Sequence, residues 1–89
     1  MHAIAVRVSI RDAESAEKQL KEMVVPRVSQ SPGFVAGYWT RKEGSDQGLS
    51  MAVFESEDAA NGMAERVRSI APEAVNVDDV EVREVVASA

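Results

Sequence analysis

Residues 2–10 alternate with a period of two. Ile4, Val6, Val8 and Ile10 fall on one side, and Ala3, Ala5, Arg7 and Ser9 on the other. Successive side chains of a strand point to opposite faces, so this stretch predicts a half-buried strand. Such a strand needs neighbours in a sheet and a second layer over its apolar face. The next periodicity supplies that layer. Ala13, Ala16, Leu20, Met23 and Val24 recur at helical spacing, with Asp12 as N-cap and Glu14 in the first turn. Pro26 cannot continue a helix comfortably and predicts a kink or restart. Ser31-Pro32-Gly33 then ends the segment.

Residues 34–41 read as a second strand, with Phe34, Ala36, Tyr38 and Thr40 on one face and Val35, Gly37, Trp39 and Arg41 on the other. A polar, glycine-bounded loop over 43–48 leads into a third strand at 49–55. There Leu49, Met51 and Val53 oppose Ser50, Ala52 and Phe54. Ser56 is the next N-cap, followed by Glu57 and Asp58. Ala60, Met63, Ala64, Val67, Ile70 and Ala71 form an amphipathic stripe that Pro72 stops. Gly62 lies inside this helix, as a site of close packing or of plain tolerance. The last strand spans about 75–86, and its valine phase slips around Asp78-Asp79, which predicts a bulge. The order β-α-β-β-α-β predicts an α+β, ferredoxin-like domain covering 1–89, with a four-stranded antiparallel sheet and both helices on one face. The other sheet face carries small and apolar residues rather than charge, which predicts a homodimer packed sheet against sheet through that face.

Composition removes several function classes. Cysteine is absent and His2 is the only histidine, so neither thiolate chemistry nor a multi-histidine metal site is expected. Asp78, Asp79 and Glu81 read as a solvated turn rather than a cation cage, and no metal is assigned. Ten basic against fifteen acidic residues, a net charge of -5, argue against a nucleic-acid partner. No stretch approaches the about 18 apolar residues of a membrane span. The first residues lack a basic, then apolar leader pattern, so a cytoplasmic protein is expected.

The Pro26 break, the entry Ser31-Pro32-Gly33-Phe34 into the second strand, the hairpin, and Val53-Phe54-Glu55-Ser56-Glu57-Asp58-Ala59-Ala60 leading into the second helix run through nearly the whole chain. In these features the chain resembles the antibiotic-biosynthesis-monooxygenase-like dimeric α+β barrel proteins. The resemblance implies a barrel made of two ferredoxin-like chains. It implies, for some members, cofactor-independent oxygenation of polycyclic aromatics, and for others haem degradation. The haem-degrading pattern of Asn on the first strand, Trp on the third and His on the second helix is not met. No Asn precedes Asn61, Phe54 stands near the Trp position, and Met63 or its neighbour near the His position.

Two functional expectations follow. In one, the protein binds a small aromatic or apolar ligand between sheet and helices, or acts on it as a cofactor-independent monooxygenase. The lining would come from Phe34, Trp39, Met51, Phe54 and Met63. His2, Tyr38 or Arg41 would then move a proton or stabilise an anion. In the other, it is a non-catalytic, stress-associated or regulatory dimeric scaffold whose aromatics are packing. Tyr38 and Trp39 are adjacent and must face opposite ways. Arg7, mid-strand on the small-residue face, needs a carboxylate such as Glu55, Glu81 or one from a second chain.

Overall fold

A sheet covered on one side by helices emerges in the computed structural model, which describes residues 1–89. β1 (His2–Ile10) is followed by α1 (Ala13–Gln19), a π-helical turn (Leu20–Val24) and α2 (Val25–Ser29). Then come β2 (Phe34–Arg41), β3 (Gln47–Phe54), α3 (Glu57–Ile70) and β4 (Val75–Glu84). The strands are antiparallel in the order β2-β3-β1-β4. This is the expected ferredoxin-like arrangement, with β1 paired on both sides.

The helix starts carry the expected caps. The Asp12 carboxylate accepts the Ser15 N–H at 3.2 Å, and the Ser56 hydroxyl oxygen accepts the Ala59 N–H at 3.1 Å. The break expected at Pro26 takes the form of a widened turn. The Val25 N–H reaches back five residues to the Leu20 carbonyl. Pro26 then falls in the first turn of α2, where its missing N–H costs no helical hydrogen bond.

Two bulges decide which side chains face the helices. The β1–β4 register passes from Arg7 opposite Asp79 to Val8 opposite Val77, leaving Asp78 as the extra residue. Val75, Val77, Val80 and Val82 thereby stay on the helix side, as the phase slip anticipated. The second bulge has no counterpart in the sequence pattern. The β2–β3 register passes from Phe34 opposite Phe54 to Ala36 opposite Val53, with Val35 as the extra residue. Strict alternation placed Phe34 with Tyr38, and the bulge reverses this. Phe34, Gly37, Trp39 and Arg41 share the helix side, while Ala36, Tyr38 and Thr40 lie on the open face.

The core joins Ile4 and Val6 of β1, Ala52 and Phe54 of β3, Val24 and Val28 of the first helical arm, and Ala60 and Met63 of α3. Phe34 meets Phe54 edge to face, with ring centres 5.9 Å apart. Gly62 has open space where a side chain would stand, so tolerance rather than close packing explains it. Gly62→Ala is therefore expected to stabilise the fold by about 0.5–1 kcal/mol, because it removes backbone entropy from the unfolded chain without a clash. A lower urea midpoint for the variant would show that α3 needs the glycine.

Candidate ligand cavity

The helix-facing side of β2 and β3 is bulky at one end and nearly bare at the other. Phe34, Ala52 and Phe54 fill the first end, whereas Gly37, Gly48 and Ser50 floor the second. A methyl group on Gly48 would stand 2.8 Å from a Val8 methyl, and one on Gly37 would stand 2.9 Å from the Trp39 ring. Val8 and the indole thus lie down over glycine backbone. Above this floor the first helical arm and α3 do not meet, and a cavity of about 750 Å³ remains. Of its 24 lining residues, 16 are hydrophobic, including Leu20 and Val24 of the π turn. Turns of this kind recur at functional sites. The volume falls within the range of small-molecule pockets.

Charge is confined to the rim, where Glu17, Lys21, Arg41 and Glu43 gather. Lys21 Nζ donates to Glu17 Oε1 at 3.0 Å. This hydrogen bond, the Lys21 charge and, more weakly, the Arg41 charge hold the Glu17 carboxyl below its ordinary value.

The expected site residues separate into four groups. Trp39 is half-buried in the cavity wall and Arg41 stands at its rim. Phe34, Phe54 and Met63 pack into the core at the filled end, with Phe54 and Met63 fully covered, so they support the cavity without lining it. Met51 lies on the open face opposite Ala5 and Tyr38, 42% exposed, because the period of two carries it away from Ser50. The Tyr38 ring also lies on the open face and is 71% exposed. His2 sits at the other end of β1, its Nε2 3.4 Å from Glu57 Oε2 and its Nδ1 buried without a partner. Neither His2 nor the Tyr38 ring therefore belongs to the cavity. Residues the sequence reading passed over are Gly37, Gly48, Ser50, Leu20 and Val24. The alternation Gly48, Ser50, Ala52 was the available signal, since small residues on a core-facing side leave volume to be filled.

The open face carries Ala3, Ala5, Leu49, Met51, Val53, Ala36 and Tyr38 around a few charged pairs. Arg7 Nη2 meets Asp79 Oδ2 at 3.1 Å, because the register puts Asp79 directly across. Neither Glu55 nor Glu81 is its partner, and Glu81 is held by Arg83. Leu49 is 50% exposed and Val35 47%. No helix is long and apolar enough to cross a membrane.

The sequence matches no family model and no curated protein sequence. Solved structures match the fold over nearly its full length. SnoaB from Streptomyces nogalater, described as a cofactor-independent oxygenase, superposes with a TM-score of 0.75 at 15% identity, covering 98% of this chain and 94% of its own. A protein from Chloroflexus aurantiacus, described as a candidate antibiotic biosynthesis monooxygenase, gives 0.69 at 9% identity over 100% and 97%. The chain has the antibiotic biosynthesis monooxygenase fold. A dimeric ferredoxin-like protein from an uncultured marine organism shares this fold with a TM-score of 0.63 at 10% identity over 99% and 97%. Such low identities carry the fold and leave the chemistry to this chain's own residues.

Proposed function

We propose that the protein is a homodimer that binds a small, flat, largely apolar molecule in the cavity between sheet and helices. The cavity is the observation that carries this reading. A scaffold has no use for about 750 Å³ of unfilled space beside its core, since interiors are otherwise close-packed. The dimer reading rests on the open sheet face. Its bulky half, with Leu49, Met51 and Tyr38, complements its small half around Ala3 and Ala5, and a twofold axis brings one against the other. The described dimer of the marine protein supports it.

The activity to test in that cavity is cofactor-independent oxygenation, the description that SnoaB carries. An activated ring carbon loses a proton and the carbanion reduces dioxygen. One oxygen atom ends as a carbonyl and the other leaves as water. Of the expected polar groups only the Arg41 side chain reaches the cavity, and its fixed charge would favour the anion. Trp39 is the sole tryptophan, so intrinsic fluorescence reports on this site alone. Aromatic acids such as anthraquinone-2-carboxylate are expected to quench it, and Trp39→Ala to weaken their binding by about tenfold, measured by calorimetry. Unchanged affinity in Trp39→Ala would remove the indole from the site. Oxygen uptake with an anthrone substrate tests the chemistry separately.

A further inference from the structure

We infer that the cavity selects a flat aromatic acid and holds it at two points, with a ring oxygen on the Ser50 hydroxyl and the acid group on Arg41. This rests on the ligand-binding reading and names the class of ligand. Ser50 lies on the cavity floor between Val6 and Trp39, directly across from each in its two ladders. The neighbouring Thr40 hydroxyl donates to the Leu49 carbonyl, whereas the Ser50 hydroxyl has no hydrogen-bond partner in the protein. It is not sealed from contact either, since the covered, unpartnered side-chain atoms are His2 Nδ1 and Gln19 Oε1. Ser50 thus offers a free donor and acceptor in an apolar wall. Polar groups placed in this way fix a ligand's orientation.

Arg41 is the second point. The ion pairs of the chain are His2–Glu57, Arg7–Asp79, Lys21–Glu17 and Arg83–Glu81, and Arg41 takes part in none. The carboxylate facing it from α1, Glu17, is occupied by Lys21. Arg41 is two residues beyond Trp39 on the same face, about 7 Å along the strand toward the rim. A fused-ring molecule lying on the indole spans that distance. An oxygen at its inner edge reaches Ser50, and an acid group at its outer edge reaches the guanidinium, which binds carboxylates through paired donors. Gly37 contributes by letting the indole lie flat, since any side chain there would meet the ring.

Three probes separate the two contacts, with binding read from Trp39 quenching and calorimetry on the full chain. Anthraquinone-2-carboxylate has both groups, 2-(hydroxymethyl)anthraquinone lacks the acid, and anthracene-2-carboxylate lacks the ring oxygens. The first is expected to bind about tenfold more tightly than the second and about three- to tenfold more tightly than the third. Ser50→Ala is expected to erase only the preference for ring oxygens, and Arg41→Gln only the preference for the acid. Equal affinities for all three probes, with quenching intact, would overturn the two-point contact while leaving the cavity reading in place. Preferences that survive in the variants would overturn it in the same way. No binding of any probe would overturn the cavity reading and this inference together.

Discussion

Phe54→Ala is expected to cost about 3–5 kcal/mol of folding stability. Phe54 is fully covered, meets Phe34 edge to face at 5.9 Å, and lies among β1, the first helical arm and α3. Truncation removes the ring's burial and leaves a void that the surrounding β-sheet cannot collapse to fill. A chain of 89 residues has a total stability of about 5–13 kcal/mol. The variant therefore loses a large share of it, or unfolds. Urea denaturation checks this: the midpoint should fall steeply with little change in slope. A loss below about 1 kcal/mol would mean that the ring is not at the centre of the core. Because the filled end of the sheet anchors the cavity wall, ligand binding should fail along with stability.

Ala5→Glu is expected to abolish the homodimer. Ala5 lies in the middle of the open face, across from Met51 on β3 and Glu81 on β4. A carboxylate there would be desolvated in a sheet-to-sheet interface and would add a like charge beside Glu81. Removing an unpaired charge from water costs several kcal/mol, comparable to a substantial part of a dimer's association energy. Sedimentation equilibrium should give a mass of two chains for the natural protein and one for the variant. Lys18→Glu, on the exposed side of α1, should leave the dimer intact. A stable Ala5→Glu dimer would show that another surface joins the copies.

Both variants draw on a pattern visible from the first ten residues. The alternation of Ile4, Val6 and Val8 with Ala3, Ala5 and Arg7 separated a core face from an open face, and the two ladders of β1 keep that division. The slip at Asp78-Asp79 announced its bulge because valines on both sides of it had to remain on one face. The strand carrying Trp39 gave no such warning. Val35 is as apolar as its neighbours, so its expulsion from the ladder leaves no trace in hydropathy. The same holds for the floor of the cavity. Gly48 and Ser50 are individually ordinary strand residues, and only their common side beneath a diverging helical layer turns missing volume into a site.

What the sequence by itself determined is the order of elements, their caps and the two-layer, ferredoxin-like architecture, because periodicity, capping and chain stops are local properties that each segment carries alone. What only the tertiary structure decided is the partner of Arg7, the inward turn of Trp39, the outward placement of Met51 and Tyr38, and the cavity with Ser50 and Arg41. These depend on register. A single extra residue in one strand reverses the facing of everything beyond it, and the energy that selects the register comes from pairing and packing against segments distant in the chain.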